Sequence, residues 1–195
     1  MSKFELIRGA LAAAVLGLAL VTVAPARADL TMSGGTAGSI PLGDANAGLD
    51  PLLGVSALSG RYGATIESDG SAANLRYEFL GYEAGFDNGF AVAGVTVFRN
   101  SDEPGGNRWS SLADPFEAHM ASDQSGVIDV SFAIGGDVAV RVENGSNPDD
   151  SGGAVGPNFF ARQLDDGSIL LWLDDGGSSN DDDHDDMVIR IVQVP

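Results

Sequence analysis

Ile169-Leu170-Leu171-Trp172-Leu173-Asp174-Asp175, Gly176-Gly177-Ser178-Ser179-Asn180, Asp181-Asp182-Asp183-His184-Asp185-Asp186 and Met187-Val188-Ile189-Arg190-Ile191-Val192 follow one another near the C-terminus. The two apolar runs, bounded by Gly, Ser and Asn, read as strands joined by a loop. So many aspartates in one loop repel each other unless water or a cation shields them. A hard cation, Ca²⁺, clamped between the last two strands is the first chemical reading.

Upstream of this hairpin the same kind of signal recurs. Leu75, Tyr77 and Phe79 alternate with Arg76 and Glu78, which predicts a half-buried strand. Phe90 to Phe98 is a near-continuous apolar run and predicts one central strand. Val130, Phe132 and Ile134 pair by pattern with Val138, Val140 and Val142 across Gly135-Gly136-Asp137, a hairpin. Arg61 to Ile66 predicts a strand ending at a Ser68-Asp69-Gly70-Ser71 turn, and Asp165-Asp166-Gly167 a turn into the final hairpin. Trp109 to Met120 has helix-like spacing broken by Pro115, so an irregular segment or a single helical turn is expected. Short strands, turns and almost no helical period predict an all-β domain, an antiparallel two-sheet β-sandwich of jelly-roll type.

Residues 1–28 have the form of a secretory signal peptide. Lys3 and Arg8 precede the apolar Gly9–Ala24, and Ala26-Arg27-Ala28 fits a small-x-small cleavage site. Residues 29–195 then form a single domain, long enough for a core, with no further segment able to span a membrane. The chain has 28 Asp and Glu against 10 Lys and Arg. Without Lys3, Arg8, Arg27 and Glu5, seven Arg, no Lys and 27 acids remain, a net charge of −20. That excludes a nucleic-acid phosphate binder and argues against anionic membrane surfaces. The charge fits either cation binding or a solvated acidic face. There is no cysteine, so a secreted chain forgoes disulfides, and a structural metal would replace part of that stabilisation.

Three stretches carry a family likeness. Leu75-Arg76-Tyr77-Glu78-Phe79-Leu80-Gly81-Tyr82-Glu83-Ala84-Gly85-Phe86-Asp87-Asn88 resembles a segment of secreted bacterial proteins with PEP-CTERM or VPLPA-CTERM sorting tails. Val142-Glu143-Asn144-Gly145-Ser146-Asn147-Pro148 and Gly156-Pro157-Asn158-Phe159-Phe160 resemble a later loop of those proteins, and Trp172 to Ile191 their aspartate-rich close. That ending is also similar to the DUF4114-type ending. The resemblance implies an exported, β-rich surface or matrix protein that binds calcium through the closing motif. The family's sorting tail has no counterpart in this sequence, so retention by such a tail is not expected.

Ca²⁺ takes 6–8 oxygen ligands at about 2.3–2.6 Å. The candidate ligands are Asp174, Asp175, Asp181, Asp183, Asp185 and Asp186. In an extended segment Asp181, Asp183 and Asp185 project to one side, and Asp182, His184 and Asp186 to the other. The match to an EF-hand is partial, because Asp186 stands where that loop needs Gly and the closing Glu is missing. A merely solvated acidic turn is the competing reading. His184, one imidazole among hard oxygens, makes a poor zinc site and reads as hydrogen-bonded or solvent-facing. Glu83 reads as a turn carboxylate capping backbone amides, or as a second-site ligand with Asp87 or Asn88.

Signals for catalysis are missing. His119 and His184 are the only imidazoles, no Gly-x-Ser-x-Gly elbow occurs, and cysteine nucleophiles are excluded. The expectation is a secreted, non-catalytic, Ca²⁺-stabilised β-sandwich of the extracellular matrix or cell surface, with polysaccharide or surface proteins as partners. A carbohydrate-binding module of the same fold is the alternative, with Trp109, Trp172 and Tyr82 as candidate stacking platforms, although Trp172, flanked by Leu171 and Leu173, reads rather as core.

Overall fold

The computed structural model describes residues 29–41, 57–102, 108–134, 138–141, 158–175 and 183–195. The proposed signal segment, Asp181 and the Gly135–Asp137 turn lie outside them. The described residues are all-β. The strands are β1 (Leu30–Ser33), β2 (Thr36–Pro41), β3 (Ala57–Tyr62), β4 (Thr65–Tyr82), β5 (Gly89–Val92), β6 (Val95–Arg99) and β7 (Arg108–Trp109). They continue with β8 (Glu117–Val127), β9 (Val130–Ile134), β10 (Val138–Arg141), β11 (Asn158–Gln163), β12 (Ile169–Asp174) and β13 (Met187–Val194). A single 3-10 turn spans Asn100–Asp102. No helix among the described residues is long and apolar enough to cross a membrane.

Two antiparallel sheets result. One runs β1-β4-β13-β12-β11-β3-β2, with β7 and β8 also paired to the long β4, and the other runs β10-β9-β5-β6. The closing hairpin sits at the centre of the larger sheet: Ile169 pairs with Ile191 and Leu173 with Met187, while β13 continues onto β4. That sheet is strongly curled, so that Gln163 at the end of β11 donates its side-chain amide to the Leu30 carbonyl of β1 at 2.6 Å.

Every residue of β12 is buried because both faces of the sheet are covered. Ile169, Leu171 and Leu173 join Tyr77 and Phe79 in a cluster that includes Phe90, Phe98 and Phe132 of the smaller sheet. Phe132 stacks on Phe159 at 5.0 Å and meets Phe90 edge-on at 5.2 Å, which links the sheets through aromatic contact. On the other face, Leu170 and Trp172 pack with Tyr62, Leu80, Phe160 and Val188. A continuous apolar run is what a strand buried on both faces requires. Trp172 is fully buried, a core residue.

Several expectations change. The Phe90–Phe98 run is two strands, not one: Ala93 and Gly94 both take positive φ (50° and 77°), the turn that closes the β5–β6 hairpin. The Ser68–Ser71 turn is instead a stretch of β4 with irregular register against β8. No helical turn forms between Trp109 and Met120, where β7, a Ser111–Asp114 bridge and β8 follow one another. Glu78, expected on a wet face, is 1% exposed. Arg190 answers it from β13 at 3.3 Å and Arg76 from β4 at 2.6 Å.

Candidate metal centre

The β12–β13 hairpin ends in aspartates at its open end. One step beyond the Leu173–Met187 pair, the Asp186 amide donates to the Leu173 carbonyl at 3.2 Å. The Asp186 carboxylate (Oδ2) then accepts the Asp175 amide at 2.6 Å. A side chain thus takes the place of the carbonyl that would have continued the ladder. Next to it, the chain leaving β4 docks by its backbone, the Glu83 amide donating to the Asp185 carbonyl at 2.7 Å.

Two asparagines from the smaller sheet complete the assembly. The Asn100 amide donates to the Asn88 carbonyl at 2.9 Å, which extends the β5–β6 pairing by one step. From there the side-chain nitrogen of Asn88 donates to Asp175 Oδ2 at 2.5 Å. That of Asn100 donates to the Asp186 carbonyl at 3.2 Å and the Phe86 carbonyl at 3.3 Å. Asp87 serves this corner differently, its Oδ1 accepting the Ser101 amide at 3.1 Å, the role of a cap.

The described acids are not a solvated turn. Asp174 is 2% exposed, Asp185 0% and Asp186 6%, while Asp175 and Asp183 are half-buried. Nor does the segment present two alternating faces, because Asp183–Asp185 is not extended strand and both Asp185 and Asp186 are buried. His184 is buried rather than solvent-facing, its ring set against the edges of Tyr62 (5.7 Å) and Phe160 (6.2 Å).

Such burial has an electrostatic cost. Desolvation first, then repulsion from Asp175, Asp183 and Asp174, pushes the Asp186 carboxyl up to about 9 despite the hydrogen bond from Asp175. Burial also raises Asp175, against the opposing hydrogen bonds from Asn88 and from the Asp186 side chain. The two side chains are thus neighbours, joined through the Asp175 amide and Asp186 Oδ2.

Among the described residues, no three His, Asp or Glu side chains form a group that could hold a metal ion by themselves. A shell of six to eight oxygens would need neutral donors as well. Two are present: Oδ1 of Asn88 and Oδ1 of Asn100 are buried without a hydrogen-bond partner, in residues 0% and 3% exposed. Buried amide oxygens are seldom left so. The donor set, carboxylates plus amide oxygens, suits a hard cation. Asp174, Asp175 and Asp183 lie close enough to Asp186 to raise its carboxyl; Asp185 is buried next to it in the chain, and Asp181 lies outside the described residues. Asn100 carried no sequence signal, and Asn88 entered the sequence reading as a candidate ligand only as a partner of Glu83 at a second site.

Other candidates are committed elsewhere. The Asp166 carboxylate accepts the Ser168 amide and hydroxyl at 2.9 and 2.6 Å and pairs with Arg190 at 2.5 Å. Burial opposes ionisation there, but these partners outweigh it and hold Asp166 below the usual carboxylate range. A cavity of about 320 Å³ lies beside Asp166, between Leu30, Gln163 and Gln193, and contains none of the acidic-loop residues. Of its lining, Asp166 and Ser168 are engaged in a turn and an ion pair with Arg190, and Gln163 in a bond to Leu30. Comparison of the chain with protein-family models, with curated proteins and with solved structures finds no match.

Proposed function

We propose that this protein is an exported, non-catalytic surface or matrix module, a two-sheet β-sandwich stabilised by Ca²⁺ at the acidic end of its closing hairpin. The observation that carries this reading is the burial of Asp186 close to Asp174 and Asp175, with Asn88 and Asn100, whose side-chain oxygens have no hydrogen-bond partner, packed against Asp175 and Asp186. Burial keeps bulk water from Asp174, Asp185 and Asp186, and the guanidinium of the hairpin, Arg190, is spent on Glu78 and Asp166. A divalent cation would offset the repulsion and add stability by binding the native state alone. Export follows from the leader-like residues 1–28, and the acidic surface disfavours nucleic acid as a partner. Extracellular polysaccharide or other surface proteins are the partners this reading favours.

The carbohydrate-binding alternative is weaker. It requires an exposed row of aromatics, whereas Tyr82 and Trp172 are buried and Trp109 packs half-buried against the second core. Phe86 is the sole large aromatic exposed among the described residues.

Thermal unfolding in EDTA, in Ca²⁺ and in Mg²⁺ at equal concentration tests the proposal. At 100 times Kd, one native-state ion adds about 2.7 kcal/mol, roughly 5–10 °C for a chain of this size. A rise specific to Ca²⁺ supports the reading. Equal small shifts with both ions, the signature of charge screening alone, would sink it.

A further inference from the structure

Asn88 and Asn100 belong to the smaller sheet, while Asp175 and Asp186 belong to the larger one, and the four meet at one corner. Asn88 directly precedes β5 and Asn100 directly follows β6, so both sit at the open end of one hairpin. Asp175 and Asp186 flank the open end of another, β12–β13.

We propose that the side-chain oxygens of Asn88 and Asn100 are ligands of the cation, together with Asp175 and Asp186, so that a single Ca²⁺ clamps the two sheets to each other. This rests on the calcium reading above and adds to it the neutral ligands and the mechanical role.

The Asn88–Asp175 distance is compatible with a shared ion, and Asn100 is held next to Asp186 by that residue's backbone carbonyl. In a planar amide, nitrogen and oxygen are about 2.3 Å apart. With its nitrogen 2.5 Å from Asp175 Oδ2, the Asn88 oxygen therefore lies within about 5 Å of that carboxylate oxygen. Two oxygens that share a Ca²⁺ at 2.3–2.6 Å are separated by no more than about 5 Å. The nitrogens of both amides are fixed by hydrogen bonds, Asn88 to a carboxylate and Asn100 to two carbonyls, so each oxygen is held in place before an ion arrives. That is preorganisation of a ligand, and it lowers the ordering cost of binding.

Charge favours amides at these positions. Asp175 and Asp186 already match the charge of a divalent ion, and two more carboxylates would add repulsion. Amide oxygens fill coordination sites without adding charge, and ligand charge count is one of the levers that sets Ca²⁺ affinity. Mechanically, the clamp joins the two sheets at a corner, with the aromatic contacts of Phe90, Phe98 and Phe132 in the core between them.

The test is calorimetric titration of the purified protein with CaCl₂. Wild type, Asn88→Ala, Asn100→Ala, the pair Asp175→Asn with Asp186→Asn, and the exposed control Asn74→Ala are compared. The inference expects one Ca²⁺ per chain and Kd raised tenfold or more by Asn88→Ala and by Asn100→Ala. It expects no change with Asn74→Ala, and loss of binding in the double aspartate variant. Wild-type affinity in both asparagine variants, with binding lost in the aspartate pair, would overturn the inference and leave the calcium reading standing. Absence of binding to wild type would remove both. If the alanine variants do not fold, ¹⁵N-asparagine-labelled wild-type protein answers instead. Ca²⁺ should shift the assigned side-chain NH₂ signals of Asn88 and Asn100 and leave Asn74 still. Binding without those shifts would overturn the clamp.

Discussion

Asn88 and Asp175 are hydrogen-bonded at 2.5 Å although 87 residues of chain separate them. This contact joins the start of β5 in one sheet to the end of β12 in the other, with Asn88 buried and Asp175 half-buried. A bond to an ionised group is worth about 1.5–3 kcal/mol net. A double-mutant cycle on Asn88→Ala and Asp175→Ala, read by urea midpoints without Ca²⁺, should return a coupling of about 1–2 kcal/mol. Additive effects would mean the contact carries no energy of its own.

Asp186 sets the pH dependence. Its folded-state pKa, raised to about 9 mainly by burial, lies above that of the unfolded chain, near 4. Between those values the folded state holds a proton that the unfolded state has lost. The metal-free protein should therefore lose stability steadily as pH rises from about 4 to 9. Ca²⁺ competes with that proton, so binding should release protons at neutral pH and tighten as pH rises. Titration in two buffers of different ionisation enthalpy measures the release. Asp186→Asn should flatten the metal-free stability profile across this range.

Glu78 is the buried charge of the larger sheet, shared by Arg190 and Arg76. Glu78→Ala leaves Arg190, 12% exposed at its side chain, with Asp166 as its remaining carboxylate. Removing one partner of a buried pair costs about 3–5 kcal/mol; the surviving Asp166 contact should hold the loss to about 2–3 kcal/mol. Chemical denaturation would check this, and a change below about 0.5 kcal/mol would show that the pair behaves as if exposed.

Gly60 lies where β3 passes β11. A β-carbon there would stand 2.3 Å from the Ala161 carbonyl and 2.7 Å from the Phe160 ring. Backbone cannot yield cheaply, so Gly60→Ala should break the Tyr62–Phe160 registration and lower Tm by several degrees. Unchanged stability would mean that β3 does not seal this edge.

Trp109 separates packing from recognition. It lies against the second core beside Leu80 and Trp172. Trp109→Ala should cost about 2 kcal/mol by loss of packing and leave glycan-array signals at background before and after. Binding by wild type that Trp109→Ala removes would favour the carbohydrate module.

The closing hairpin was legible because Ile169–Leu173 and Met187–Val192 are uninterrupted apolar runs, and burial on both faces leaves no other pattern. The Phe90–Phe98 hairpin was hidden because Ala93 is not a residue that announces positive φ. Glu78 misled for a similar reason: alternation marks a charge as wet, and its partner Arg190 is 112 residues away. At the candidate site the aspartates were evident, and their run reads first as a cation site with a solvated turn as the competitor. Nothing local tells that β5 and β6 bring Asn88 and Asn100 over it. Those amides are assembled by topology, which single-strand periodicity does not encode.

The central claim is that a cation occupies this corner. Crystals grown in millimolar Ca²⁺ and measured for anomalous scattering test it most directly. The account predicts one peak at about 2.3–2.6 Å from oxygens of Asp175, Asp186, Asn88 and Asn100. Density there that is water alone, with the carboxylates still hydrogen-bonded to the amides, would contradict it.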